Sequence, residues 1–195
     1  MNTPRVVLAS TSRYRAELLR RLLPDFEQVA PGVDEFVEPG EAPAERAARL
    51  ARLKALAVAE NISGAIVIGS DQVAELDGHV LDKPGSAANA RTQLQMCSGQ
   101  AARFHTALCV IDTRRGNRAS QAADLTRVVF RTLSADEITR YIELERPLDC
   151  AGGFKAEGLG ISLFDRIEST DPTALIGLPL IALAKLLRDR GICLP

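Results

Sequence analysis

Between Val6 and Pro24 the chain passes from strand to helix with almost nothing in between. Val6, Val7 and Leu8 read as a short buried strand, and Ser12 is a good N-cap. Leu18, Leu19, Leu22 and Leu23 recur at helical spacing, which predicts a helix from about Arg13 to Leu23, stopped by Pro24. Ser10, Thr11 and Ser12 crowd this junction, and Arg13 and Arg15 fall in the first helical turn. Cations there oppose the helix macrodipole, at about 0.3–1 kcal/mol each when exposed. Either two solvated arginines tolerate that opposition, or free N–H groups, hydroxyls and guanidinium forks converge on a phosphate.

Strands and helices keep alternating along the chain. A helix is predicted over about Ala44–Glu60, where Lys54 lies at the centre of an arc made by Ala47, Leu50, Ala51, Ala57 and Val58. Its ammonium either snorkels out of this small-residue face or aims into an interior cleft that holds an anion. A short apolar strand, Ala65–Gly69, ends in Gly69-Ser70-Asp71, and a second strand leads to Asp77-Gly78, a strong two-residue hairpin signal. That turn sets residue 76 opposite 79. Continued backwards, the register sets Gln72 opposite Lys83 and brings Ser70, Asp71 and Gln72 close to Lys83, for a site or for a plain structural salt bridge.

Ser86 caps a further helix ending near Gly99, and long strands are predicted around Ala102–Asp112 and Ala122–Thr132. Ser134 and Glu137 form a capping box in front of Ile138, Tyr141 and Ile142. The stretch from Asp149 to Gly160 carries Gly152, Gly153, Gly158 and Gly160, as a loop whose backbone approaches a ligand closely or as a mobile connection. A strand over Ile161–Ile167 and a helix over about Pro179–Arg190, stopped by Gly191, complete an α/β fold with a mixed sheet and flanking helices.

Composition narrows the function classes. With 195 residues, 46% hydrophobic and a net charge of −1, the chain suits one globular domain, or two lobes sharing a core. The near-neutral balance argues against a nucleic-acid binder with a broad basic surface. Four widely spaced cysteines without a C-x-x-C, and only His79 and His105 beside them, argue against a zinc site and suit reduced cytosolic thiols. His105 reads as structural. No apolar run approaches the roughly 20 residues of a membrane span, and Val6-Val7-Leu8-Ala9 is too short for a signal-peptide core.

The remaining polar residues sort by chemistry. Arg15, Lys54 and Lys83, with Ser10, Ser12 and the free amides of a helix start, suit a polyphosphate. Glu35 and Asp71 would repel it unless a divalent metal sits between, and Mg²⁺ is held by one or two carboxylates plus phosphate oxygens and water. This combination serves phosphoanhydride hydrolysis, with a carboxylate orienting or deprotonating the attacking water. No G-x-x-x-x-G-K-[ST] is present.

These blocks, in this order, resemble the Maf (septum formation inhibitor) family of nucleoside triphosphate pyrophosphatases over essentially the full length. They are LASTSRYRAELL (8–19), VDE (33–35), Lys54 in its helix, IGSDQV (68–73), LDKP (81–84), DCAGGFKAEGLG (149–160) and IGLPL (176–180). Gln72, FKAEGLG and DPTALIGLPLIAL are similar to the branch that cleaves 7-methyl-GTP. The branch acting on dTTP and UTP usually has Thr after the aspartate and Gln at the position of Glu157. Asp82 departs from the glycine common before Lys-Pro.

The resemblance implies a Maf/ITPase-like fold, a single domain over 1–195 with two lobes around a central cleft. It also implies hydrolysis to the monophosphate and pyrophosphate by water attack at the α-phosphate, with Mg²⁺ or Mn²⁺, in a cytoplasmic homodimer that binds neither nucleic acid nor membrane. By matching position, Asp71 is the general base and, with Glu35, a metal ligand; Ser10, Ser12, Arg15, Lys54 and Lys83 hold phosphates; Tyr14, Gln72 and Glu157 tune base choice. Two alternatives stand beside this: a pyrophosphatase for dTTP, UTP or another modified nucleotide, and a non-catalytic nucleotide-binding regulator of cell division.

Overall fold

In the computed structural model, which describes residues 4–195, the strand expected to end at Gly69 continues without a break: β3 runs Ala65–Leu76. Glycine weakens a strand interior, so a break was the natural expectation. Packing supplies the reason it is tolerated. A Cβ on Gly69 would collide with the carbonyl oxygen of Ala51 and lie 2.6 Å from the backbone nitrogen of Ala55. The bare backbone therefore lets helix α2 (Pro43–Ala59) rest directly on the strand.

The other elements, in chain order, are β1 (Arg5–Ala9), α1 (Arg13–Arg20), β2 (Glu27–Val29), β4 (His79–Val80), α3 (Ala87–Cys97), β5 (Ala101–Asp112), β6 (Arg118–Phe130), α4 (Ala135–Glu145), β7 (Phe164–Glu168) and α5 (Leu180–Arg188). The sheet has the order β2-β1-β3-β5-β6-β7, with β4 beside β3. β1 pairs in parallel with β2 and β3, whereas β3–β4 and β6–β7 are antiparallel, so the sheet is mixed as expected.

The chain divides into two compact units, one made of residues up to Gln72 with Thr106–Asp124 and Asp171–Pro195, the other of Val73–His105 and Leu125–Thr170. Strands β3, β5 and β6 each contribute residues to both.

In the first unit, Leu8, Ile66, Ile68, Leu108 and Val110 of the strands pack against Leu18 and Leu19 of α1 and Leu183 and Leu187 of α5. Each such side chain, fully buried, is worth about 1.5–3 kcal/mol. Strand alternation then assigns faces. Ile66, Ile68, Ser70 and Gln72 share the α1/α5 face, and Val67, Gly69 and Asp71 share the α2 face. Helix α1 starts at Arg13 as predicted but ends at Arg20, because Arg21 and Leu22 close tighter bonds to Leu18 and Leu19. Pro24 is therefore not what stops it. Strand β2 had no sequence signal of its own.

In the second unit, Phe154 meets Phe104, Phe130 and Phe164 edge to face, with ring centroids 4.9–5.5 Å apart. The Asp77-Gly78 turn forms as read, with positive φ at both residues and Leu76 opposite His79. The paired strand ends one pair later, at Glu75 and Val80, and a single bond in the same register follows, from the Leu81 N–H to the Ala74 carbonyl at 2.8 Å. The expected pairing of Gln72 with Lys83 is thus corrected: β4 is only two residues long. Strand β7 begins at Phe164 rather than Ile161, since Leu159–Leu163 forms a 3₁₀ turn instead.

Candidate active site

The first turn of α1 sends its two arginines in different directions. Ser12 caps the helix, its Oγ accepting from the Arg15 N–H at 3.4 Å, and buried Ser10 accepts from the Ser12 N–H at 3.1 Å. Gln28 of β2 steadies the junction by donating to the carbonyl of Ser10 at 2.8 Å. The arginines then diverge. Exposed Arg13 lies over the Tyr14 ring, 4.8 Å from its centroid, and donates to the phenol oxygen. Arg15, half-buried, turns its Nε onto the carbonyl of Gly177 at 2.9 Å. Burial pulls the Arg15 pKa below its ordinary value, and the negative charges of Asp71 and Glu35 counter that pull.

Helix α2 delivers Lys54. Its buried stripe is Ala47, Leu50, Ala51, Lys54, Ala55, Val58 and Ala59, so the lysine is in the core face and does not snorkel. Close approach at Gly69 sets the turn bearing Lys54 beside Asp71, two residues further along the same strand face. The Lys54 ammonium contacts Asp71 Oδ1 at 2.5 Å and Glu35 Oε1 at 2.7 Å. Lys54 and Asp71 are both buried, whereas half of the Glu35 side chain is exposed (54%). One cation thus gathers both of the acids singled out from the sequence. The salt-bridge partner of Asp71 is Lys54, not Lys83.

Ser70 and Gln72 face the other way. Ser70 Oγ lies 2.7 Å from the Ala107 carbonyl and 3.0 Å from that of Gly177, the oxygen that also receives Arg15. The Gln72 amide nitrogen reaches Thr106 Oγ1 and the carbonyls of Ala174 and Leu175 at 2.9–3.0 Å. Its donors are directed into protein. Gln72 therefore acts as a strut for the 174–177 turn rather than as an open amide.

Sequence reasoning missed Asp171 and Thr173, which organise that turn. Buried Asp171 accepts from Thr173 N–H and Oγ1 with Oδ1, and from the Ile181 N–H at 2.7 Å with Oδ2. Thr173 Oγ1 also accepts from the Leu180 N–H at 2.8 Å. Together they cap α5, whose own N-cap, Pro179, offers no side-chain bond. The Asp-Pro-Thr spacing, Asp two residues before a hydroxyl, was the available signal.

Two predicted residues belong to the second unit. Lys83 is exposed, and the carbonyls on either side of it are held by α3: Gln93 donates to Asp82 and Asn89 to Pro84, each at 2.9 Å. Asp82 does not have positive φ, so replacing the usual glycine leaves the backbone unstrained. Glu157, also exposed, sits in a turn between the 3₁₀ segments Ala151–Gly153 and Leu159–Leu163. The glycines of this stretch serve internal packing. A Cβ on Gly152 would press on Phe154 and Phe104, one on Gly158 would meet the Glu145 carboxylate at 2.6 Å, and one on Gly160 would collide with the Lys155 carbonyl.

A family model described as Maf-like protein matches residues 5–190. The chain belongs to the Maf family. This Maf chain is 57% identical over 192 residues to a protein of Xanthomonas oryzae pv. oryzae (strain MAFF 311018) named 7-methyl-GTP pyrophosphatase, covering 98% of this chain and 100% of that one. A protein of the same name from Cupriavidus metallidurans (strain ATCC 43123 / DSM 2839 / NBRC 102507 / CH34) is 53% identical over 189 residues, covering 96% and 94%. Among solved structures, a HAM1 protein from Coxiella burnetii superimposes with a TM-score of 0.51 at 15% identity, over 95% of this chain and 99% of that one. That likeness concerns the fold, which matches the Maf/ITPase-like expectation.

Proposed function

We propose that this Maf chain is a nucleoside triphosphate pyrophosphatase that hydrolyses 7-methyl-GTP to 7-methyl-GMP and pyrophosphate. The observation that carries the reading is the joint contact of Asp71 and Glu35 with the Lys54 ammonium. The names borne by relatives at 53–57% identity support the substrate.

In this reading Asp71 accepts a proton from a water whose oxygen attacks the α-phosphorus. The bond from that phosphorus to the bridging oxygen breaks, and pyrophosphate departs. Lys54, held beside Asp71, offsets charge that builds on the phosphate oxygens. Arg15, Ser10, Ser12 and Lys83 bind the phosphate chain. Among the described residues no cluster of three or more His, Cys, Asp and Glu forms a closed metal cage. Two carboxylates drawn to one cation are instead a donor set suited to Mg²⁺ or Mn²⁺ completed by phosphate and water, so Glu35 and Asp71 would hold it. When bound, such an ion polarises the phosphate oxygens and lowers the pKa of water.

Base choice rests on Glu157, Tyr14 and Gln72. N7-methylation leaves guanine cationic, and a carboxylate both accepts from the guanine N–H edge and offsets that charge. Tyr14 can attract a cation over its ring, but Arg13 already covers one face, so Glu157 carries the larger part. Gln72 contributes indirectly, through the turn it braces. We also infer, on the family resemblance alone, a single Maf-like domain over 1–195 acting as a cytoplasmic homodimer. Among the described residues no helix is long and apolar enough to cross a membrane.

A turnover assay across canonical and methylated triphosphates, with pyrophosphate and phosphate measured separately, tests the reading. Pyrophosphate release that is fastest with 7-methyl-GTP, and abolished in Asp71→Asn while nucleotide binding persists, is expected. Preference for dTTP or UTP would reassign the substrate. Binding without pyrophosphate release in the presence of Mg²⁺ or Mn²⁺ would make the chain a non-catalytic regulator.

A further inference from the structure

The turn that bears Glu157 is gripped from one side by helix α4. Tyr141 and Glu145 stand one helical turn apart on that helix, so their side chains share a face. The buried Tyr141 hydroxyl accepts from the Lys155 N–H at 3.0 Å, just before Glu157. Glu145 Oε2 accepts from the Leu159 N–H at 2.8 Å, just after it. Lys155 adds a return contact, its ammonium donating to the Glu145 carbonyl at 3.0 Å and lying 3.5 Å from the Glu145 carboxylate. Gly158 completes the fit, because any side chain there would meet the Glu145 carboxylate.

The bonds from the Tyr141 and Glu145 side chains fall on backbone N–H groups that flank Glu157, and neither involves its side chain. Lys155 and Glu145 are mostly buried, with side-chain exposures of 13% and 16%, so this pair is shielded from bulk screening. Phe154, packed on three other rings, anchors the entry to the turn. A turn fastened at Lys155 and Leu159 in this way holds Glu157, midway between them, in a fixed place while leaving it exposed.

We infer that Tyr141 and Glu145 are positioning residues for base recognition: they set Glu157 where it meets the methylated guanine. The inference rests on the base-reading role proposed for Glu157 and deepens it. It separates discrimination of the base, fastened to α4, from capture of the phosphate chain, which depends on other residues.

The test compares Tyr141→Phe, Glu145→Ala, Glu145→Gln and Glu157→Gln with the wild-type chain. KM for 7-methyl-GTP reads base recognition, and competitive inhibition by inorganic tripolyphosphate reads the phosphate site alone. Tyr141→Phe and Glu145→Ala should raise KM by about tenfold or more, since small misplacements of a binding group are costly. The tripolyphosphate inhibition constant should stay unchanged, and Glu145→Gln, which still accepts from Leu159, should recover part of the loss. If Glu157→Gln raises KM but the α4 variants do not, the positioning role is overturned and the reading of Glu157 stands. Equal losses in KM and in tripolyphosphate inhibition would also overturn it, as a general disturbance. If Glu157→Gln itself leaves KM unchanged, the base-reading role fails, and the positioning role with it.

Discussion

Lys54 and Asp71 touch because Gly69 has no side chain. The two residues are 17 positions apart in sequence and 2.5 Å apart in space, and the contact depends on α2 lying directly on β3 at Ala51 and Ala55. A methyl group at position 69 forces the helix outward. Gly69→Ala should destabilise the chain by about 1–3 kcal/mol, as overpacking does. It should also lower turnover by loosening the Lys54–Asp71 pair. Urea unfolding and a pyrophosphate-release assay on the same preparation check both effects.

Asn89 and Gln93 of α3 hold the carbonyls on either side of Lys83. Removing one such bond costs on the order of 1 kcal/mol. The double variant Asn89→Ala/Gln93→Ala should therefore weaken tripolyphosphate inhibition several-fold, as Lys83→Ala should more severely, with no change in preference among bases. Inhibition constants for tripolyphosphate, set beside kcat/KM ratios for paired nucleotides, measure this.

The cap that Asp171 builds for α5 is a stability element close to Arg15. Three N–H groups and a hydroxyl use the Asp171–Thr173 pair. Asp171→Ala should cost about 1–2 kcal/mol, at the upper end for a helix cap because the site is buried. The Gly177 carbonyl that receives Arg15 lies in the turn this cap organises, so KM should rise as well. Thermal unfolding and steady-state kinetics test the two parts independently.

Acid stability has a specific contributor in the first unit. Buried Asp112 takes two bonds of 2.8 Å from the Arg114 guanidinium, which hold its pKa below the usual carboxylate range against the opposing effect of burial. A group whose folded pKa is depressed stabilises above its unfolded pKa, and that contribution disappears as pH falls through the folded value. Asp112→Asn should thus be less stable than the wild type at neutral pH, and the gap should narrow on acidification below pH ~4. Urea midpoints across that range give the answer.

Short-range features were legible before any fold was known. Ser12, Ser86 and Ser134 cap the helices expected of them, and Asp77-Gly78 makes its hairpin, because each depends on a few consecutive residues. The central place of Lys54 on its helix followed from periodicity alone. Extrapolation failed where a register had to be carried further. The hairpin ladder stops at Val80 instead of reaching Lys83, since nothing local tells a strand how long to stay paired. The glycines of 152–160 read either as ligand-facing backbone or as a mobile connection, and what Gly152, Gly158 and Gly160 make room for is Phe104, Glu145 and Lys155.

The amino-acid sequence by itself determined the α/β class and the helix starts, and residue chemistry marked the candidates for binding a triphosphate, because propensity, periodicity and residue chemistry are local properties. Only the tertiary structure decided that Lys54 joins both acids, that Gln72 braces a turn more than 100 residues away, and that α4 fastens the backbone around Glu157. Those arrangements come from which surfaces pack together, and packing is chosen by shape and burial across the whole chain.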